Sequence, residues 1–255
     1  RQTKAGEVRR VAGDISDFKG ERLRGEIFAD RELMDGRRLR GALLLGPETV
    51  GLGAAYIAPD LRGETRFAAE FNRPSWDFTE GFVDRGVRHQ IGARREHRFF
   101  PRLAGEMAAS GRIYGIDGDR NVASSFALDG ELQYLLLPGS PSLSVGYRVD
   151  AEYRYTIESR RDQSGASFNP IPLVSREIHA LEASTTYDLS DEWRVRAYSG
   201  YGIDRYASGD FFAGVGLIHQ GEGRLQARLF AERGLSASDT GETALLVGAS
   251  LTLRF

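Results

Sequence analysis

Four histidines and a few acidic clusters are the residues of this chain best suited to catalysis or metal binding, and their spacing argues against both. His89, His97, His179 and His219 stand at no interval that would bring two imidazoles onto one metal ion. Asp117-Gly-Asp119-Arg-Asn121 has the first three ligand positions of a calcium loop but lacks its glycine and terminal glutamate, so it reads as an acidic turn. Gly51-Leu-Gly53-Ala-Ala-Tyr56 carries two glycines of a dinucleotide fingerprint, without the third and without a following helix. It reads instead as a smooth, narrow stretch of strand wall. No local signature joins a serine or aspartate to a histidine as in a hydrolase. The expectation is a protein that is not an enzyme, with no cofactor and no metal.

What remains is charge repeated with a period of two. Arg22, Arg24 and Glu26, then Arg38 and Arg40, then Arg62, Glu64, Arg66 and Glu70 each sit on the polar side of an alternating stretch. The same holds for Arg94 with Glu96, Glu106 and Arg112, Asp129 and Glu131, and the run Arg148, Asp150, Glu152 and Arg154. Glu182, Arg194, Arg196, Arg224, Arg228 and Glu232 continue it. Mixed signs on one face can pair across strands and stiffen a wall. They can also line a hydrophilic corridor of many weak sites, along which a polar solute moves without sticking. All but two of the 34 basic residues are arginine, the exceptions being Lys4 and Lys19. A GC-rich genome accounts for such a bias; rigid guanidinium forks also suit a charged pore wall.

The elements that must hold these residues are strands. Leu143, Val145, Tyr147, Val149, Ala151, Tyr153 and Tyr155 occupy one face of the cleanest one, opposite Ser144, Arg148, Asp150, Glu152 and Arg154. The last stretch, Thr243 to Phe255, puts Leu245, Val247, Ala249, Leu251, Leu253 and Phe255 on one face and Gly248, Ser250, Thr252 and Arg254 on the other. It resembles the closing strand of bacterial outer-membrane barrels, which ends in phenylalanine. Asp35-Gly36, Gly46-Pro47, Pro59-Asp60, Asn72-Arg73-Pro74 and Pro138-Gly139 punctuate the pattern as turns. Fourteen strands can be counted from Glu21 onward, one of them carrying Trp76, Phe78 and Phe82. Residues 157–175 form the longest loop.

Composition excludes several classes. Mean hydropathy is -0.37, and no apolar run is long enough for a spanning helix. A barrel need not look hydrophobic, because every second residue faces a wet lumen. There is no cysteine for a disulfide or thiolate site, and a net charge of -2 gives no reason to expect nucleic acid. The chain opens Arg1-Gln2-Thr3-Lys4, without initiator methionine or signal peptide, as a mature chain or a piece of a longer one would.

Many strands run for about 10 residues, enough to cross a bilayer at a tilt and longer than the usual 5–6 of globular strands. The expectation is therefore an all-β chain: a single antiparallel up-and-down transmembrane β-barrel of 16 strands, or alternatively 14, in the bacterial outer membrane and in contact with its lipid. Residues 1–20 are a linker or the first strands, and residues 21–255 are the barrel. Alternation from a periplasmic carboxyl terminus puts the turns near Gly221, Ser190, Gly139, Pro101, Pro74 and Pro47 on the periplasmic side. The 117–120, 157–175 and 234–242 loops then lie outside, the short-in, long-out rule of such barrels. Phe71, Trp76, Phe99, Tyr187, Trp193 and Phe255 form the aromatic belt at the periplasmic interface, and Tyr56, Phe82, Tyr153, Tyr201 and Phe211 lie toward the other rim. On these residues alone the function is a passive outer-membrane conduit, with a small-solute porin as one version of it.

Five segments add a more specific likeness: Trp76-Asp-Phe-Thr-Glu-Gly81, Phe99-Phe-Pro-Arg-Leu103, Arg112-Ile-Tyr-Gly-Ile-Asp-Gly118, Arg176-Glu-Ile-His179 and Tyr198-Ser-Gly-Tyr-Gly-Ile-Asp-Arg-Tyr206. Together they resemble the carboxyl-terminal barrel of bacterial exopolysaccharide exporters, the Pel polysaccharide exporters most closely. The poly-N-acetylglucosamine and cellulose exporters share that architecture. The likeness covers most of residues 60–255. It implies a sixteen-stranded barrel, passive export of a biofilm-matrix polysaccharide, a periplasmic helical-repeat region upstream, and a periplasmic lipoprotein partner.

Overall fold

The computed structural model describes residues 2–3, 6–7, 9–11, 14–17, 25–46, 49–75, 86–116, 118–161, 164–220, 225–235 and 243–253, with those up to 25 and residues 34, 120, 220, 225–228, 232–235 and 243–253 as backbone alone. Among these residues the chain is all-β, and its helical content is one 3-10 turn at Met34–Gly36. No helix among them is long and apolar enough to cross a membrane.

Thirteen strands join in one large sheet in strict chain order. They are β1 (Gly25–Glu32), β2 (Arg38–Gly46), β3 (Thr49–Asp60), β4 (Gly63–Pro74), β5 (Val87–Phe100), β6 (Leu103–Ile116) and β7 (Asp119–Leu137). After them come β8 (Ser142–Ile157), β9 (Arg176–Asp188), β10 (Trp193–Asp204), β11 (Gly209–Gln220), β12 (Leu225–Leu235) and β13 (Thr243–Leu253). Along β1–β4 and β9–β13 the pairing is antiparallel and in continuous register, for example Glu182 opposite Gly200 and Ala197 opposite Val215. Three two-stranded ribbons lie outside the sheet: Gln2–Thr3 with Gly6–Glu7, Arg9–Val11 with Asp14–Asp17, and Arg160–Arg161 with Ser167–Phe168. The chain packs as two compact units, one of Arg1–Glu96, Ala108–Leu128 and Glu152–Ser175, the other of His97–Met107, Asp129–Ala151 and Arg176–Phe255.

The turns are built by the residues that mark them in the sequence. Asp35 and Gly36 take φ of 63° and 70°, the left-handed pair that closes a hairpin, and Leu33 N donates to Arg37 O at 2.7 Å. Asp60 Oδ1 accepts from Arg62 N at 2.8 Å, stabilising the two-residue turn between β3 and β4. Ser190 Oγ accepts from the amides of Glu192 and Trp193 at 3.3 and 3.1 Å between β9 and β10.

The strand count and the sidedness need correction at one place. The expected strand through Trp76, Phe78 and Phe82 lies outside the described residues. β4 and β5 are neighbours in the sheet, and Ser75 N donates to Gly86 O at 2.8 Å, so residues 75–86 connect two paired strands. Removing one strand from the count flips the parity of everything before it. The connections at 33–37, 61–62, 101–102, 138–141, 189–192 and 221–224 share one end of their strands, the end where β13 finishes. Those at 47–48, 75–86, 117–118, 158–175, 205–208 and 236–242 share the other. Pro47 and Pro74 therefore belong to the end opposite Pro101, Gly139, Ser190 and Gly221. Every connection at the β13 end has five residues or fewer.

Candidate functional site

The sheet has its two faces the opposite way round from a soluble one. In a soluble antiparallel sheet the apolar face is buried on a core and the polar face meets solvent. Here the apolar face is open: Ile91, Met107, Leu181 and Phe211 are 70%, 72%, 68% and 71% exposed. The polar face holds the covered side chains, with Glu152 and Ser184 at 5% and 6%. In β3 Gly51, Ala55 and Ile57 are buried, whereas Val50 and Leu52 on the other face are exposed.

In the first unit, neighbouring strands supply opposite charges to this polar face. Arg40 makes a two-pronged pair with Asp30, Nε to Oδ1 at 2.7 Å and Nη2 to Oδ2 at 2.8 Å, across a directly opposed β1–β2 position. Its guanidinium also lies 4.4 Å from the Phe28 ring centre. Arg38 reaches past Ile57 and Pro59 of β3 to Glu64 at 2.9 Å. Glu70 pairs with Arg73 at 2.6 Å and Arg94 with Glu96 at 3.4 Å. Glu26 and Arg66 occupy the same face, while Arg62 sits in the β3–β4 turn and not on a strand.

The most buried charge is Glu152. Its Oε1 accepts from the Tyr114 hydroxyl at 2.7 Å and from Ser125 Oγ at 2.5 Å, and its Oε2 accepts from Arg112 Nη1 at 3.2 Å. Three donors from β6 and β7 thus satisfy a carboxylate carried by β8. Next to this cluster, the long connection turns back onto the sheet. Ile171 and Leu173 are buried with Tyr114, Ile116, Val122 and Ala123 in one apolar cluster, with Ile157 against it. Arg154 fastens the segment twice, its amide donating to Ser175 Oγ at 3.1 Å and its Nη1 to Leu173 O at 3.4 Å.

The second unit repeats the alternation of charge. Arg176 bonds Asp150 at 3.1 Å, Arg196 bonds Glu182 at 3.4 Å, and Arg194 bonds Asp188 at 2.6 Å. Two arginines rest on aromatic rings of the same face, Arg148 5.3 Å from the centre of Phe212 and Arg196 5.8 Å from that of Tyr198. Those rings fit because each faces a glycine on the next strand, Phe212 opposite Gly200 and Tyr198 opposite Gly214. A Cβ on either glycine would run into the ring. The face also carries an uncharged patch: Gln133 Nε2 donates to Ser144 Oγ at 3.1 Å, and Ser144 and Ser184 hydroxyls lie 3.0 Å apart. Glu106, Asp129 and Glu131 complete the expected set in this unit. Arg22, Arg24 and Arg224 lie outside the described residues, and Arg228 stands on β12 as backbone only.

On the apolar face, the aromatic residues fall near strand ends, with two exchanges from expectation. In the first unit Phe71 is near the 75–86 connection, and Tyr56, opposite Phe67, is nearer the 61–62 turn. Each is therefore at the end opposite the one assigned to it, because β4 and β5 are neighbours in the sheet. In the second unit Phe99, Tyr187 and Trp193 are exposed near the 101–102 and 189–192 turns, and Tyr201 and Phe211 near the 205–208 turn. Trp76 and Phe255 lie outside the described residues.

The histidines all have ordinary structural partners. His89 Nδ1 accepts from Asn72 N at 3.0 Å, and His97 packs edge-on against Phe99 at 4.7 Å. His179 bridges the Tyr147 hydroxyl and Glu177, and His219 lies 3.4 Å from Glu192. Among the described residues no group of three or more His, Asp or Glu could hold a metal ion. Asp119 of the acidic turn is paired with Arg160 at 2.8 Å. Gly51 lets the backbone of Phe71 and Asn72 approach where Asn72 takes a φ of 56°; a Cβ would strike those carbonyl oxygens.

Sequence reasoning missed the inward aromatic residues. Tyr114, Tyr198 and Phe212 share the parity of the charged residues on their strands, so the signal was present but belonged to the minority chemistry of that face. It also missed that Ile171 and Leu173 would be buried, since a loop carries no period to reveal which residues pack. No protein-family model matches the chain, and no curated protein matches it.

Proposed function

We propose that the chain is an outer-membrane β-barrel whose polar face lines a passive conduit for export of an exopolysaccharide. The observation that carries the membrane reading is the inverted sheet, with its large apolar residues exposed and its charges and hydroxyls on the covered face. Water rejects such an arrangement, whereas lipid around an aqueous lumen favours it. Strand lengths of 11 to 19 residues from β3 to β13 suit a tilted crossing.

Closure completes the reading. Among the described residues β1 and β13 are the sheet edges, and no pairing joins them. Thirteen strands in antiparallel order leave β1 and β13 running in the same direction. An all-antiparallel closure therefore takes an odd number of further strands, one for the fourteen-stranded form and three for the sixteen-stranded one. An exposed edge in hydrocarbon would leave its backbone N–H and C=O groups unpaired, at several kcal/mol each.

Export of a polymer, as opposed to uptake of small solutes, is supported by the likeness of residues 60–255 to exopolysaccharide exporters. The paired, mixed-sign wall fits either cargo, because arginines already bonded to carboxylates offer only weak sites to a passing chain. A periplasmic helical-repeat region and a lipoprotein are the partners that go with this reading. The test is conductance of the full chain in planar bilayers together with deletion of its gene. Steady ion conductance with loss of matrix polysaccharide from the deletion strain supports the reading. Impaired solute uptake with an intact matrix would assign a porin instead, and a chain that stays soluble without detergent would sink both.

A further inference from the structure

The segment between the Arg160–Phe168 ribbon and β9 has a two-sided structure of its own. Ile171 and Leu173 are fully buried, whereas Pro172 and Val174 between and beyond them are only partly covered. Pro170 is buried beside Ile171, and Leu173 N donates to Ile171 O at 2.9 Å around Pro172, so the segment makes a tight turn whose buried side chains hold it against a surface. The surface it lies on includes Tyr114 and Ile116, which share the parity of Arg112 on β6 and hence belong to the polar face. Tyr114 is held there by its bond to Glu152. Arg154 ties down the backbone at Leu173 and the side chain of Ser175.

A loop free to swing would present polar residues and hold few fixed bonds. This one buries Pro170, Ile171 and Leu173 almost completely, and such burial contributes about 1.5–3 kcal/mol for each large apolar side chain. It is an integral layer of the wall.

We propose that residues 170–175 form a fixed internal lining that narrows the conduit near its loop-rich end and replaces charge there with the apolar surface of Pro172 and Val174. This deepens the pore reading and rests on it. The lining covers Tyr114 and the Glu152 cluster, so at this level a passing polymer meets two apolar side chains in place of an ion-paired wall. An apolar contact offers no directional bond to sugar hydroxyls or charges, which makes this the level at which size, and not charge, decides passage.

The chain has no cysteine, so single substitutions can be labelled cleanly. The full chain carrying Val174→Cys, Ile171→Cys or Leu181→Cys is reconstituted in planar bilayers and treated with a bulky cationic methanethiosulfonate. Val174→Cys should lose a large part of its current on labelling. Ile171→Cys, pinned beneath the lining, and Leu181→Cys, on the apolar face, should keep theirs. Adding Arg154→Ala to Ile171→Cys should make that site reactive and the current sensitive. Conducting channels in which labelled Val174→Cys keeps its full current, confirmed as labelled by mass, would overturn the lining. So would Ile171→Cys reacting as fast as Val174→Cys with Arg154 in place. Absence of conductance in every variant, wild type included, would instead refute the pore reading beneath it.

Discussion

Replacing Leu181 by arginine separates the membrane reading from a soluble one. Leu181 is 68% exposed on the apolar face of β9, between the Tyr147–His179–Glu177 cluster on one side and Tyr187 on the other. In water, arginine at so exposed a strand position changes stability by no more than about 0.5 kcal/mol either way. In a bilayer, an arginine on the lipid face costs about 2–4 kcal/mol at the midplane and about 0–1 near the interface. At about 1.4 kcal/mol per tenfold, the Leu181→Arg penalty is roughly 30- to 1000-fold in the folding equilibrium. Tyr187→Arg, close to the 189–192 turn, should cost much less. The assay is equilibrium unfolding in denaturant with the chain inserted in vesicles, followed by the fluorescence of its two tryptophans. A Leu181→Arg variant as stable as wild type, or equal losses at 181 and 187, would refute the reasoning.

Two further substitutions probe the polar face. Glu152→Ala removes the acceptor for Tyr114, Ser125 and Arg112 in a buried site, and should destabilise the protein by about 3–5 kcal/mol in the same unfolding assay; a loss under about 1 kcal/mol would mean water reaches these groups freely. Gly200→Ala sets a methyl group against the Phe212 ring and the Leu181 carbonyl, and should cost about 1–3 kcal/mol. Pairing it with Phe212→Leu should return the part of that loss due to the ring and leave the part due to the Leu181 carbonyl; no recovery at all in a double-mutant cycle would place the strain elsewhere.

The period-two alternation is a local property, and so it is legible in the order of residues. A strand turns its side chains to opposite faces whatever lies beyond them, which is why Leu52, Ile91, Leu181 and Phe211 separate from Arg40, Arg148 and Glu182 by position alone. Turn chemistry is local too, as the left-handed Asp35 and Gly36 show. Parity is not local: it accumulates along the chain. Whether the stretch at 76–82 is counted as a strand therefore decides the ends assigned to Pro47, Pro74, Phe71 and Tyr56 and has no bearing on any residue after Val87.

Which charge meets which partner depends on the assembled sheet. Arg38 finds Glu64 two strands away, across Ile57 and Pro59 of β3, and Arg112 finds Glu152 across β7, because register and side-chain length decide such pairs and neither is written in a strand's own pattern. The same holds for residues 170–175. Nothing in Asn169-Pro-Ile-Pro-Leu-Val-Ser175 says that it lies against the wall; Tyr114, Ile116 and Val122 had first to be brought together by the sheet to offer apolar surface for it to cover. A two-faced β chain with charge on one side follows from residue order alone. That the charged side is the covered one follows only from the folded sheet, since burial is a property of what surrounds a face and not of the face itself.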